Sequence, residues 1–206
     1  MKRVLILGFL ALALPLAAFA TSSTDFTGSG GTLSGLSGGL SLSGSTLISV
    51  NGLYGAGLVT GADLGSVSLS TGALLSSIYK NGVLQSATFA TGGSLMIVGN
   101  GTDGIPSGTI FTGSFTDVGS TMTTLAKYGN SYILSGTFVG TLSNGTVEKG
   151  TIVVLTSPSG GKGYLGQIGV GSVDINMSAV PEPGSLTLLG TGLLGLAGVI
   201  RRKLAA

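Results

Sequence analysis

Between residues 21 and about 179, apolar and polar positions alternate with a period of two. The clearest case is SYILSGTFVGTLSNG, beginning at Ser131. Tyr132, Leu134, Phe138 and Leu142 fall on one face, with Gly136 and Gly140 between them. Ser135, Thr137, Thr141 and Ser143 fall on the other, together with Ile133 and Val139. Period two is the mark of a strand with one buried face. Phe111, Gly113 and Phe115 alternate likewise against Thr112 and Ser114, and Leu36, Leu40 and Leu42 against Ser37, Ser41 and Ser43. The run TIVVL, Thr151 to Leu155, is apolar on both faces and reads as a central strand.

Four Asn-Gly pairs punctuate the strands: Asn51-Gly52, Asn81-Gly82, Asn100-Gly101 and Asn144-Gly145. Asn-Gly is the strongest short-range hairpin signal, because both residues tolerate positive φ. Asn144-Gly145 and Asn81-Gly82 are expected to form two-residue turns. No convincing amphipathic helix is present; Gly72 to Lys80 alone has a spacing that fits a short helical turn. The pattern predicts an all-β, antiparallel, hairpin-rich domain. A β-sandwich is the favoured architecture, because many short strands need two faces to bury. A β-barrel or a β-solenoid is the alternative. A solenoid needs a fixed repeat. SGTIFTGSF at Ser107 and SGTFVGTLS at Ser135 look alike, yet no third copy keeps their step.

Composition sharpens this picture. The 206 residues include 39 Gly, and only 8% are charged. There is no Cys, which removes disulfides and thiolate metal sites. There is no His, which removes the commonest general base and metal ligand. The formal charge of +2 is carried by the ends, in Lys2, Arg3, Arg201, Arg202 and Lys203. Between them four lysines face seven acids, so the body is acidic. Nucleic-acid binding, which wants a basic face, is not expected.

The ends read differently from the body. MKRVLILGFLALALPLAAFA has a basic start, an apolar core from Val4 to Leu14, Pro15 as a breaker, and Ala18-Phe19-Ala20 as a small-x-small site. These are the three regions of a secretory signal peptide, expected as a helix over 1–20 and removed by signal peptidase ahead of Thr21. Near the other end stands VPEPGSLTLLGTGLLGLAGVIRRKLAA. Ser185 to Ile200 carries no charge, and its length is near the lower limit for a helical membrane span. Arg201, Arg202 and Lys203 follow it as a basic stop, which stays on the cytoplasmic side. Both ends thus point inward, and the body between them is expected outside.

Val180-Pro181-Glu182-Pro183, the short Leu/Gly span and the basic cluster together resemble the PEP-CTERM sorting signal of Gram-negative bacteria, found mostly in species that make exopolysaccharide. The resemblance implies that a membrane-embedded peptidase, the exosortase, recognises Pro181, Glu182 and Pro183 while the span holds the chain transiently in the inner membrane. Release to the cell surface or the medium would follow. It covers about 27 residues and says nothing of the body. The expected organisation is a signal peptide over 1–20, a flexible lead-in over 21–31, a β-sandwich over 32–178, a Pro-Glu-Pro linker over 179–184 and the sorting segment over 185–203.

Candidate chemistry in the body is thin. Gly35-Leu36-Ser37-Gly38-Gly39 fits G-x-S-x-G, but without His the usual triad cannot form. Gly99 to Gly104 fits G-x-G-x-x-G and part of a calcium nonapeptide, yet Ile-Pro-Ser-Gly follows where a helix would have to open, so a hairpin turn is the better reading. Asp63, Asp103, Asp117, Glu148 and Asp174 are scattered, and a sequence cannot pair them for glycosidase chemistry. Tyr54, Tyr79, Tyr128, Tyr132 and Tyr164 are candidate stacking platforms for sugars. The sequence-level expectation is therefore an exported, non-enzymatic structural or interaction protein without cofactor or metal. The alternatives are a module that binds exopolysaccharide and, behind it, a secreted hydrolase.

Overall fold

The computed structural model describes residues 23–116, 123–158, 163–164, 166–180 and 192. Among the described residues twelve strands run in chain order: β1 (Ser23–Ser29), β2 (Thr32–Leu36), β3 (Gly39–Asn51), β4 (Val59–Ser70), β5 (Leu74–Lys80) and β6 (Val83–Phe89). They continue with β7 (Gly92–Asn100), β8 (Ser107–Thr116), β9 (Thr123–Tyr128), β10 (Ser131–Leu142), β11 (Val147–Thr156) and β12 (Gln167–Ala179). A 3-10 turn, Leu53–Gly55, links β3 to β4.

Every pairing is antiparallel, and eight positions close on themselves. β1 and β2 lie end to end in one position, since each pairs with β12 on one side and β3 on the other. From β3 the ring passes through β4, β7, β8, β10 and β11 to β12, and so back to β1. β10 forks. Its second half pairs with β8, while its first half pairs with β9. From β9 a three-stranded extension, β9–β6–β5, leaves the ring.

The sandwich expectation is therefore corrected to its alternative, a barrel. Alternation says only that each strand has one buried face, and a closed sheet meets that demand as well as two stacked ones. The inward positions fill the interior: Phe26, Leu42, Leu47, Phe111, Phe138, Ile152, Val173 and Ile175 are all buried. An eight-stranded barrel has room inside for little more than such side chains. The outward positions are short and polar, among them Ser66, Ser68, Ser70, Thr112, Ser114, Thr137 and Thr151. That is the reverse of a lipid-spanning barrel, whose outer band is apolar.

Glycine makes close packing possible at particular points. A Cβ on Gly140 would lie 2.4 Å from the ring of Phe111 and 2.2 Å from the carbonyl of Thr112. Phe111 also meets Phe138 edge to face, with ring centroids 5.5 Å apart. The aromatic ring thus occupies the space that the glycine of a neighbouring strand leaves open. The extension is pinned to the ring by Tyr132, whose hydroxyl donates to the Leu84 carbonyl (2.9 Å) and accepts from the Tyr164 amide (3.0 Å). Tyr164 in turn donates to the Gly35 carbonyl at 2.5 Å, and burial pushes its phenol up to about 12.

Several sequence expectations change. Within the flexible lead-in expected over 21–31, Ser23–Ser29 is instead strand β1, held on both sides, with only Gly30-Gly31 breaking its path into β2, while residues 21–22 lie outside the described residues. Ladder hydrogen bonds, invisible from composition, order a Ser/Thr/Gly stretch that looked like linker. Ala179, expected to begin a linker, is the last residue of β12 and pairs with Glu148. The Gly72–Lys80 ambiguity resolves as β5, because β6 supplies a partner. All four Asn-Gly pairs lie where a hairpin reverses, but only Asn81-Gly82 is a two-residue turn, with φ of 51° and 75°. Asn144-Gly145 sits in a four-residue loop closed by the Asn144 side chain, which accepts from the Thr146 amide. TIVVL is flanked on both sides by strands, yet Val153 and Leu155 face outward, because a single closed sheet has no second layer to cover them.

The signal helix over 1–20 and the C-terminal helix over 185–203 lie outside the described residues, except Gly192, which is helical. Among the described residues no helix is long and apolar enough to cross a membrane.

Candidate functional site

The body's most polar feature is built by strand register. Across the barrel wall, Asn51, Asp25, Asn176, Thr151, Thr137 and Thr116 stand opposite one another on successive strands. The neighbouring row runs through Thr27, Asp174, Val153 and Ser135. Each row crosses strands about 4.8 Å apart. Between the rows lies a shallow groove of about 270 Å³, lined by Asp25, Thr27, Thr151, Val153, Asp174 and Asn176. A second groove of about 260 Å³ continues it past Lys149 and Ser178.

Two carboxylates meet here that sequence alone could not pair. Asp25 stands opposite Asn176, so Asp174 is its diagonal neighbour on β12. Diagonal neighbours lie about 7–8 Å apart. The Asn176 amide donates to Asp25 Oδ1, and the Ser172 hydroxyl donates to Asp174 Oδ2 at 3.4 Å. A glycosidase acid needs a carboxyl held protonated by burial. Asp174 is exposed and Asp25 half-buried. What the wall offers is a row of fixed hydrogen-bond acceptors and hydroxyls, suited to a ligand rich in hydroxyl groups.

Glu148 was missed as a buried group. It is 1% exposed, it points into the barrel, and its Oε2 has no hydrogen-bond partner among the described residues. Burial raises its carboxyl above the ordinary value of 4.5. The signal was available: counting back in twos from Val154 and Ile152 puts Glu148 on the inner face.

The other candidates separate. Ser37 and Gly38 form the turn between β2 and β3, so the G-x-S-x-G match is a hairpin and not a strand-to-helix elbow. Asp103 occupies the β7–β8 loop with φ of 52°, its carboxylate beside Gly61, and no group of three acidic side chains suited to a metal occurs among the described residues. Tyr132 and Tyr164 are buried in edge-to-face contact, 5.9 Å between centroids. Tyr54, Tyr79 and Tyr128 are exposed, but none lines the Asp25–Asp174 groove. Ala18, Ala20 and Thr21 at one end, and Pro181, Glu182, Pro183, Arg201, Arg202 and Lys203 at the other, lie outside the described residues.

Comparison with known proteins places the chain by its end. The family model of the PEP-CTERM protein-sorting motif matches residues 179–203. That stretch contains the Pro-Glu-Pro triplet, the apolar run and the basic cluster. No curated protein and no solved structure gives a significant match. The motif implies export, a membrane-anchored sorting signal and recognition by an exosortase. The chain thus carries a PEP-CTERM protein-sorting motif directly behind its last barrel strand, and is an exported protein sorted by an exosortase.

Proposed function

We propose that this chain is a non-enzymatic structural or interaction component of the cell envelope or extracellular matrix. In this reading the barrel is the cargo and the sorting motif its address. Signal peptidase cuts ahead of Thr21, the C-terminal span rests in the inner membrane with Arg201, Arg202 and Lys203 inside, and an exosortase cuts at Pro181–Pro183. The single observation that carries it is the motif match over residues 179–203. Support for a non-catalytic body comes from the barrel itself, whose interior is filled mostly by Phe, Leu, Ile and Val and whose wall is mostly Ser and Thr.

The test is the intact mass of the protein recovered from its host's envelope and medium. Wild type is expected to start at Thr21 and to end within Pro181–Pro183. Replacing Pro181 and Pro183 together by Ala is expected to leave the span attached, so that the recovered mass runs on through Arg201–Lys203. Normal release of the double variant would sink the sorting role given to the triplet.

A second reading is favoured by the grooved wall: the barrel binds exopolysaccharide. The in-register acids, amide and hydroxyls around Asp25, Asp174 and Asn176 support it. Without a tyrosine in that groove, contact would rest on hydrogen bonds and not on stacking.

A further inference from the structure

A closed ring has no free edge, and edges are where strands recruit other strands. The extension β9–β6–β5 is the exception. β5 pairs with β6 on one side and with no strand on the other among the described residues. Its surface also gathers three exposed large apolar side chains within five residues. The barrel wall presents mostly Ser, Thr and Gly, whereas β5 presents Leu75, Ile78 and Tyr79, which are 55%, 63% and 53% exposed. Pro and an inward charge are missing from β5; its one charge, Lys80, and its register shifts against β6 lie on either side of Ser76–Ile78 and leave that central run unprotected.

We propose that β5 is a homodimer interface, in which two copies pair edge to edge and antiparallel about Ser77. The register is self-complementary. A two-fold axis at Ser77 sets Leu75 opposite Tyr79, Ser76 opposite Ile78 and Leu74 opposite Lys80. Two aliphatic–aromatic cross-strand pairs form, each of a kind that stabilises a sheet. β5 shifts register against β6 at Leu74/Ser76 and again at Ile78/Tyr79. The regular run between these shifts is Ser76–Ile78, centred on the proposed axis. The two Lys80 ammonium groups end about 20 Å apart at the strand rise, beyond the reach of a charge in physiological salt. The pairing is isologous, so it stops at two copies and joins two three-stranded extensions into one sheet of six.

The chain has no cysteine, so a single introduced thiol reports cleanly. Opposed residues of an antiparallel pair stand about 4.5–5.5 Å apart between Cα atoms, within disulfide range. The full-length gene is expressed in its own host, and the protein is purified as the host leaves it. Under mild oxidation S77C is expected to cross-link about tenfold or more faster than T141C, an exposed site on the barrel wall, because pairing supplies a high local concentration. By sedimentation wild type is expected to be a dimer and I78K a monomer. Ile78 is exposed, so that charge leaves the fold intact while placing two cations beside the axis. Cross-linking of S77C no faster than that of T141C would overturn the proposal, as would a wild type that sediments as a monomer.

Discussion

Glu148 shows how one side chain can tie stability to pH. Its neutral form suits the barrel interior, and its charged form is penalised by burial. Above 4.5 and up to its raised folded-state value, the folded protein holds more protons than the unfolded chain. The contribution is therefore fully present at low pH and lost as pH rises through that window. Glu148→Gln, which keeps the shape and removes the charge, is expected to be more stable than wild type at pH 7. The gap should narrow as pH falls toward 4.5. Urea midpoints of both proteins at several pH values measure this, and parallel pH profiles would refute it. The inward phase of Glu148 was legible from the alternation of β11. That its Oε2 would find no partner among the described residues was not, because that depends on what faces it across the barrel.

At the level of the strand, glycine is a packing residue here and not merely a flexible one. Alternation in β10 showed Gly136 and Gly140 on the inner face. It could not show that Phe111 fills the space over Gly140, because β8 and β10 become neighbours only through the pairing of Phe111 with Leu142 and Phe115 with Phe138. Gly140→Ala is expected to destabilise the fold by about 1–3 kcal/mol, the usual cost of overpacking. Gly38→Ala, in an open turn with nothing within 4 Å of the new carbon, is expected to stay within about 0.5 kcal/mol of wild type. Denaturant unfolding of the two variants separates close packing from a general effect of losing glycine; equal destabilisation would contradict the packing account. The Asn-Gly turns belong to this scale too. Their positions were readable because positive φ is a local property, while loop length also depends on how far each strand remains paired, as at Asn144.

For the whole molecule, closure of the ring decides which polar residues meet. Asp25 and Asp174 are 149 positions apart in sequence and become diagonal neighbours only because β12 pairs with β1. If the wall binds exopolysaccharide, the Asp25→Ala, Asp174→Ala double variant is expected to lose at least about tenfold in affinity, two hydrogen-bond acceptors being removed together. Retention on the host's own purified polysaccharide measures it; unchanged retention would move the ligand elsewhere or leave the barrel without this one. These substitutions lie on the wall and away from β5, so this test and the dimer test can fail independently.

By itself the sequence determined what rests on near neighbours in the chain. Strand-forming alternation, turn-forming Asn-Gly pairs, the missing His and Cys, and the sorting motif are all legible within a few residues or by counting. The tertiary structure alone decided what rests on distant strands meeting. It chose a closed barrel over stacked sheets, drew the apparent lead-in into the ladder as β1, and buried Glu148 opposite Ala179. It also left β5, among the described residues, as an apolar edge with no strand on its outer side. The physical reason is that alternation encodes which face of a strand is buried and carries no term for which strand lies beside it. That choice is made by hydrogen-bond registry between segments more than a hundred residues apart.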